Sequence, residues 1–141
     1  MEPHTGTAAK NAGEHTSADR VDAGLAEQAK LLQTGAASSR ELVEGALERA
    51  QQAQPRLNAF RVICAEEALA AAEEADQRLA AGAAAPLLGV PVAIKDDVDL
   101  AGHTTPFGCG GGSPAVRDAE IVRRLREAGA IPIGKTHAPE V

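Results

Sequence analysis

The 141-residue sequence predicts an α/β fold with at least partly parallel strand pairing. Helical repeats of apolar residues alternate with short apolar runs, an element order typical of this class. The run Leu87–Ile94 is rich in branched residues and is typical of a buried strand, not of a helix. A second run, Ala130–Ile133, follows the last helical repeat. These few strands would leave apolar faces uncovered, so we expect the sequence to be the first part of a larger fold.

The N-terminal residues separate into a tail and a folded part. Residues 1–18 are polar and aperiodic, which predicts a disordered tail, and residues 19–141 are expected to form one unit. From Asp19 to Leu32, apolar residues recur every three or four positions. This spacing predicts a short amphipathic helix that ends at Gly35.

The next three elements are predicted from a helix capping box, from the alternation of apolar and polar residues, and from helix propensity. Ser38 and Glu41 have the spacing of a capping box at the start of a second helix, which we expect to stop before Pro55. The segment Leu57–Ile63 alternates apolar and polar residues and predicts a strand. Alanine and glutamate then dominate Ala65–Ala81, which predicts a third helix.

The C-terminal half begins with the strand Leu87–Ile94. Four glycines and a proline in His103–Ser113 predict an irregular loop. Asp118 is expected to cap a final helix, which leads into the strand Ala130–Ile133. We expect Gly134-Lys135-Thr136 to turn away from that strand.

Composition excludes several classes of function. The net charge of −6 and the scattered basic residues argue against a nucleic-acid partner. The N-terminus lacks the apolar core of a signal peptide, and the longest apolar run is too short to span a membrane. The two cysteines have no disulfide-framework or zinc spacing and suit a reducing compartment. We therefore expect a cytoplasmic protein without a membrane partner.

The chemical interest of the sequence centres on Lys95, which ends the apolar run and precedes Asp96, Asp97 and Asp99. In open α/β sheets, active sites lie beyond the carboxyl ends of the strands. Read alone, such a lysine is more often a solvated strand terminator than a catalyst. A partly desolvated lysine, however, can lose its proton and act as a general base.

The residues 129–136, GAIPIGKT, match the phosphate-loop pattern letter for letter. That loop requires a strand before its first glycine and a helix after its lysine, with backbone N–H groups between the glycines. Here a helix precedes Gly129, the intervening residues predict an apolar strand, and Pro132 has no N–H. We therefore reject a phosphate loop.

No metal or cofactor site is predicted. Asp97, Asp99 and Gly102 resemble the start of a calcium loop, but the twelfth position is Gly108 instead of a glutamate. The four histidines show no ligand spacing. Cys109 has no evident base partner, so we interpret it as a bystander.

Two blocks of the sequence resemble the amidase signature family of amide-bond hydrolases. They are GVPVAIKDDVDLAGHTT (residues 89–105) and DAEIVRRLREAGAIPIGKTHAPE (residues 118–140). The resemblance extends over about residues 23–141 and is strong from Leu88 onward. It implies a mixed sheet flanked by helices, of which this chain would be the N-terminal part.

The resemblance also implies a catalytic triad of a nucleophilic serine, a bridging serine and a lysine, and the family lysine falls on Lys95. The two serines are expected C-terminal to the GKT block, and Ser113 precedes that block and cannot replace them. The expected function is therefore hydrolysis of a small-molecule amide through an acyl-enzyme, without a cofactor, by a protein of which these 141 residues are inactive alone. Two alternatives are a non-catalytic remnant or interaction fragment and, less favoured, a nucleotide-binding module using Gly134-Lys135-Thr136. The substrate and the oligomeric state are not predicted.

Overall fold

The computed structural model of the chain describes residues 16–139. Within that range it contains five helices and three strands, which confirms the α/β class and the mixed sheet. The helices are α1 (Ser17–Asp22), α2 (Leu25–Gln33), α3 (Ser39–Leu57), α4 (Ala65–Ala80) and α5 (Glu120–Glu127), and the strands are β1 (Phe60–Ile63), β2 (Pro91–Lys95) and β3 (Ile131–Thr136).

The three strands form one sheet in the order β1-β3-β2. β3 is central and pairs in parallel with β2 and antiparallel with β1. Lys95 lies opposite Thr136, and Ile94 lies opposite Lys135. The carboxyl ends of β2 and β3 therefore lie side by side at one edge of the sheet.

The main hydrophobic core lies where α3 and α4 pack against this sheet. Val43 and Leu47 of α3 meet Ala68 and Ala72 of α4 in this core, together with Ile133 of β3. The buried positions of α4 are alanines, whose small side chains let the helix approach its neighbours closely. The composition of α4 therefore suits both its helical propensity and its packing.

The first predicted helix is in fact two helices, α1 and α2. Gly24 lies between them and is the N-cap residue of α2. α1 begins at Ser17, within the predicted tail, because Thr16 and Asp19 form a reciprocal capping box. The prediction for residues 1–15 lies outside the described residues.

The second predicted helix starts as expected but does not stop before Pro55. The Ser38 hydroxyl accepts a hydrogen bond from the Glu41 N–H, whereas the Glu41 carboxylate pairs with Arg20 and not with the cap. α3 continues through Pro55, which removes one backbone hydrogen bond, and closes where the Asn58 N–H donates to Gln54 O. The strand predicted from Leu57 therefore begins only at Phe60.

Two boundaries in the C-terminal half also differ from prediction. β2 starts at Pro91 because a turn precedes it, with Gly89 at a φ of +87°. Gly134-Lys135-Thr136 does not turn away but forms the last half of β3, where hydrogen bonding to both neighbouring strands overrides its weak strand propensity.

The predicted cap of the last helix is wrong as well. Asp118 makes no cap to α5; it accepts a hydrogen bond from the Ala101 N–H at 2.8 Å and pairs with Arg126 at 2.9 Å. The carboxylate therefore ties the loop that follows β2 to the last helix.

Within residues 16–139, no helix has both the length and the apolar character needed to cross a bilayer.

Candidate functional site

Lys95 lies at the carboxyl end of β2, as the sequence predicts. Its side chain is 57% exposed, and its Nζ is 3.0 Å from a carboxylate oxygen of Asp97. Within the described residues, Lys95 therefore lacks the partial desolvation that would favour its neutral form, the form that can accept a proton.

The next residue, Asp96, lies in the opposite environment. Its side chain is only 3% exposed, and it is held by two cations. The Arg61 guanidinium donates to both carboxylate oxygens, at 2.5 and 2.8 Å, and Lys135 Nζ lies 3.1 Å from Oδ1. This bidentate geometry is the strong form of an arginine–carboxylate pair.

Lys135 is the most deeply buried charged residue of the described chain, with no exposed surface. Its amine has an acceptor for each of its three N–H donors: Thr104 O at 2.8 Å, Thr105 Oγ1 at 2.9 Å and Asp96 Oδ1. A lysine with all of its donors engaged is suited to holding a structure in place.

The cluster formed by Arg61, Asp96 and Lys135, called here the ionic anchor, also fixes the loop after β2. The Arg61 guanidinium donates to Thr104 O at 2.7 Å, the same carbonyl oxygen that Lys135 contacts. Strands β1 and β3 therefore both hold the first residues of the predicted glycine-rich loop, close to Lys95.

The charges of the ionic anchor shift its acid–base equilibria. Burial alone would raise the pKa of Asp96, but hydrogen bonds from Arg61 and Lys135 outweigh it, so that the pKa lies below its usual value. The hydrogen bond to Asp96 raises the pKa of Arg61. The carboxylate and the guanidinium are therefore held in their charged forms by their contacts within the anchor.

The segment from Phe107 to Gly112 is irregular, as predicted. Phe107 and the four glycines of this segment all have positive φ values, and the Cys109 side chain is exposed. Cys109 donates to Phe107 O at 3.6 Å, a local contact within the loop. Glycine-rich backbone of this kind can present N–H groups to an anion.

Two groups of residues in the structure are not predicted by the sequence: the ionic anchor and a set of potential metal ligands. Lys135 lies inside a pattern that resembles a phosphate loop, and no local sequence signal indicates that it lies in a strand and is buried. Cys64, Glu67 and His103 bring one donor atom each to within 4.8 Å of one another. The Cys-x-x-Glu spacing at a helix start is the only sequence signal for that group, since His103 comes from a distant loop.

The sequence model of the Amidase family matches residues 41–141. AmiB2 of Mycobacterium tuberculosis, a protein named as a putative amidase, is 52% identical over 124 residues, which are 87% of this chain and 27% of AmiB2. A glutamyl-tRNA(Gln) amidotransferase subunit of Halorhodospira halophila is 46% identical over 118 residues, which are 82% of this chain and 24% of that protein. The chain thus spans about a quarter of the length of the curated relatives it matches.

Solved structures give the same result. The peptide amidase of Stenotrophomonas maltophilia superposes with a TM-score of 0.75 and 32% sequence identity. The match covers 82% of this chain and 24% of the peptide amidase. The similarity therefore holds for the fold as well as for the sequence.

Proposed function

This chain belongs to the amidase family, and we propose that it supplies the general base of an amide-bond hydrolase, with Lys95 as the residue that accepts the proton. The observation that carries the proposal is the position of Lys95 at the carboxyl edge of a parallel strand pair. This is the edge of an α/β sheet at which active sites are commonly built.

The proposed reaction is acyl transfer through a serine. A neutral lysine takes a proton, through a bridging serine, from the nucleophilic serine, which then attacks the amide carbon. The tetrahedral intermediate collapses with the proton returned to the leaving amine or ammonia, which gives an acyl-enzyme. Water then attacks the ester, and the acid leaves. By family resemblance, both serines belong to a segment C-terminal to Gly134-Lys135-Thr136.

A lysine accepts a proton only when it is neutral, and removal from water disfavours its charged form. More than half of the Lys95 side chain is exposed in the described structure. The proposal therefore requires a further protein surface to cover the carboxyl edge of β2 and β3. The 141 residues alone are then expected to hydrolyse no simple amide, because they hold a base without its nucleophile or its cover.

The ionic anchor has a positioning role in this proposal. Consecutive strand residues point to opposite faces of a sheet. Asp96 directly follows the last residue of β2, and its N–H still donates to Thr136 O of β3 at 2.9 Å, so this alternation extends to it. Because Asp96 is fixed inward by Arg61 and Lys135, Lys95 is directed outward from the sheet end. The anchor would thus set the direction of the base without touching the substrate.

The names of the relatives suggest a carboxamide substrate, since one is a peptide amidase and another belongs to an amidotransferase. We propose a small-molecule amide for this chain. The contacts of Lys135 argue against the nucleotide-binding alternative, because a phosphate would have to displace three short hydrogen-bond partners from a fully buried amine.

The proposal can be tested in a chimera in which residues 16–139 replace the matching quarter of the peptide amidase, with amide hydrolysis followed by ammonia release. We expect Lys95→Ala to lower kcat by about 100-fold or more, because general base catalysis contributes at least that much. Lys30→Ala, on the exposed side of α2, is the matched control and should be active. Equal activity of the Lys95→Ala and Lys30→Ala chimeras would contradict the assignment. Turnover by the isolated 141 residues, lost on Lys95→Ala, would contradict the expected inactivity alone.

A further inference from the structure

A thiol, an imidazole and a carboxylate meet where α4 begins. Cys64 Sγ lies 3.5 Å from His103 Nε2, and the same nitrogen lies 3.2 and 3.3 Å from the two carboxylate oxygens of Glu67. These are three of the ligand types that zinc takes in proteins. Their donor atoms are directed at one small volume.

The spacing of the donor atoms matches a tetrahedral zinc site. Bonds of about 2.3 Å to sulfur and about 2.1 Å to nitrogen and oxygen place the sulfur about 3.6 Å from the nitrogen, and the nitrogen about 3.4 Å from the oxygen. The observed separations, 3.5 Å for sulfur and nitrogen and 3.2 Å for nitrogen and the nearer oxygen, are close to these values. A cation could bind with only small side-chain movements.

Hydrogen bonding alone serves the three groups unequally. If Nε2 carries a proton, that single N–H is shared between the Cys64 sulfur and the Glu67 carboxylate. If Nε2 is unprotonated, its lone pair faces the lone pairs of the carboxylate. A cation placed among the three atoms would be attracted to all of them at once.

The backbone holds these side chains before any ion binds. The Cys64 N–H donates to Ile133 O at 2.8 Å, and Cys64 O accepts from the Ala68 N–H, so the residue is tied to both β3 and α4. Glu67 follows in the first turn of α4. The His103 N–H donates to Leu100 O at 3.0 Å. Because the Cys64 side chain is buried while that of Glu67 is 62% exposed, the group has a closed side and a side open to solvent.

We propose that Cys64, Glu67 and His103 form a Zn²⁺ site with a fourth position open to water. Three protein ligands and one water is the ligand number of open zinc sites. The site shares no residue with the proposed base or with the ionic anchor, and the proposal does not depend on amidase activity.

Cobalt(II) is the probe, because a thiolate bound to tetrahedral cobalt gives a near-ultraviolet charge-transfer band together with strong visible bands. The full 141-residue chain, freed of metal with a chelator, is titrated with Co²⁺. We expect saturation at one equivalent with both sets of bands, and loss of both on addition of Zn²⁺. Cys64→Ser should abolish the charge-transfer band, and Cys109→Ser, which alters the exposed thiol, should keep it.

A second pair of variants avoids the core. Glu67→Gln replaces an exposed side chain by one of equal size and should weaken Co²⁺ binding by about tenfold or more, equivalent to about 1.4 kcal/mol. Glu66→Gln, at the adjacent exposed position, should bind as the parent does. The proposal is overturned if no thiolate band appears at one equivalent, if the band depends on Cys109, or if Glu67→Gln and Glu66→Gln bind equally.

Discussion

At the scale of single residues, Lys95 and Lys135 lie near paired strand ends yet have opposite environments. Lys135 is buried with three acceptors, and Lys95 is exposed beside one carboxylate. Asp96 supplies the counter-charge of the buried Lys135, and it also pairs with Arg61. Removing a charged partner from a buried cluster of this kind costs more than the cluster itself contributes, because the remaining charges stay buried.

Asp96→Asn is therefore expected to lower the free energy of unfolding by about 3 kcal/mol, since it leaves the buried Lys135 amine without its counter-charge. Urea denaturation followed by circular dichroism measures the change. Asp97→Asn is the matched control, because it breaks a solvent-exposed pair with Lys95 and should cost less than about 1 kcal/mol. Equal losses in the two variants would show that the ionic anchor does not stabilise the fold.

The lowered pKa of Asp96 predicts a pH dependence with a defined sign. A carboxyl whose folded pKa is depressed contributes its full stability above its unfolded pKa and loses it as the pH falls through the folded pKa. The ordinary value is 3.8. The stability difference between the parent and Asp96→Asn should thus be constant near neutral pH and shrink as the pH falls below that value. A difference that grows on acidification would contradict the assignment.

At the scale of elements, the sequence predicts those whose signals are local. The predicted bounds of α4 lie within one residue of the observed ones, because alanine-rich composition and the following glycine act locally. The extension of β3 through Gly134-Lys135-Thr136 is not predictable from local signals, since it depends on hydrogen bonds to β1 and β2 and on the burial of Lys135 by loop residues far along the chain. The proximity of Cys64 and His103 is not predictable for the same reason.

Gly134 is the residue of β3 at which the close approach of the neighbouring strand β1 is most specific. A Cβ at this position would clash with the carbonyl oxygen of Val62 in β1 and would lie 3.0 Å from the Phe60 ring. Gly134→Ala should therefore separate β1 from β3 and lower the free energy of unfolding by about 3 kcal/mol. Gly24→Ala, where a Cβ meets nothing within 4 Å and φ is ordinary, should cost about 1 kcal/mol or less in the same urea melts. Similar losses would rule out the close strand approach as the cause.

At the scale of the whole molecule, the described surface retains apolar side chains that its own elements do not cover. α5 buries Val122 completely but exposes 61% of Ile121, the residue before it. Phe107 and Val116 are also exposed, and β2 is an edge strand. A helix with apolar residues on two faces is suited to being covered on both sides.

The exposed face of α5 around Ile121 predicts that the isolated chain self-associates. The isolated chain should self-associate with rising concentration, and Ile121→Arg should reduce the association while changing the free energy of unfolding by less than about 0.5 kcal/mol, because Ile121 contributes little to the chain's own core. Sedimentation velocity across a concentration series measures the self-association, and urea denaturation measures the free energy of unfolding.

Val122→Ala is the converse control, because it truncates a fully buried side chain. It should lower the free energy of unfolding by about 2 kcal/mol and should not reduce association. If Ile121→Arg associated as strongly as the parent, the exposed face of α5 would not be the contact surface, and the edge strand β2 would be the next segment to test.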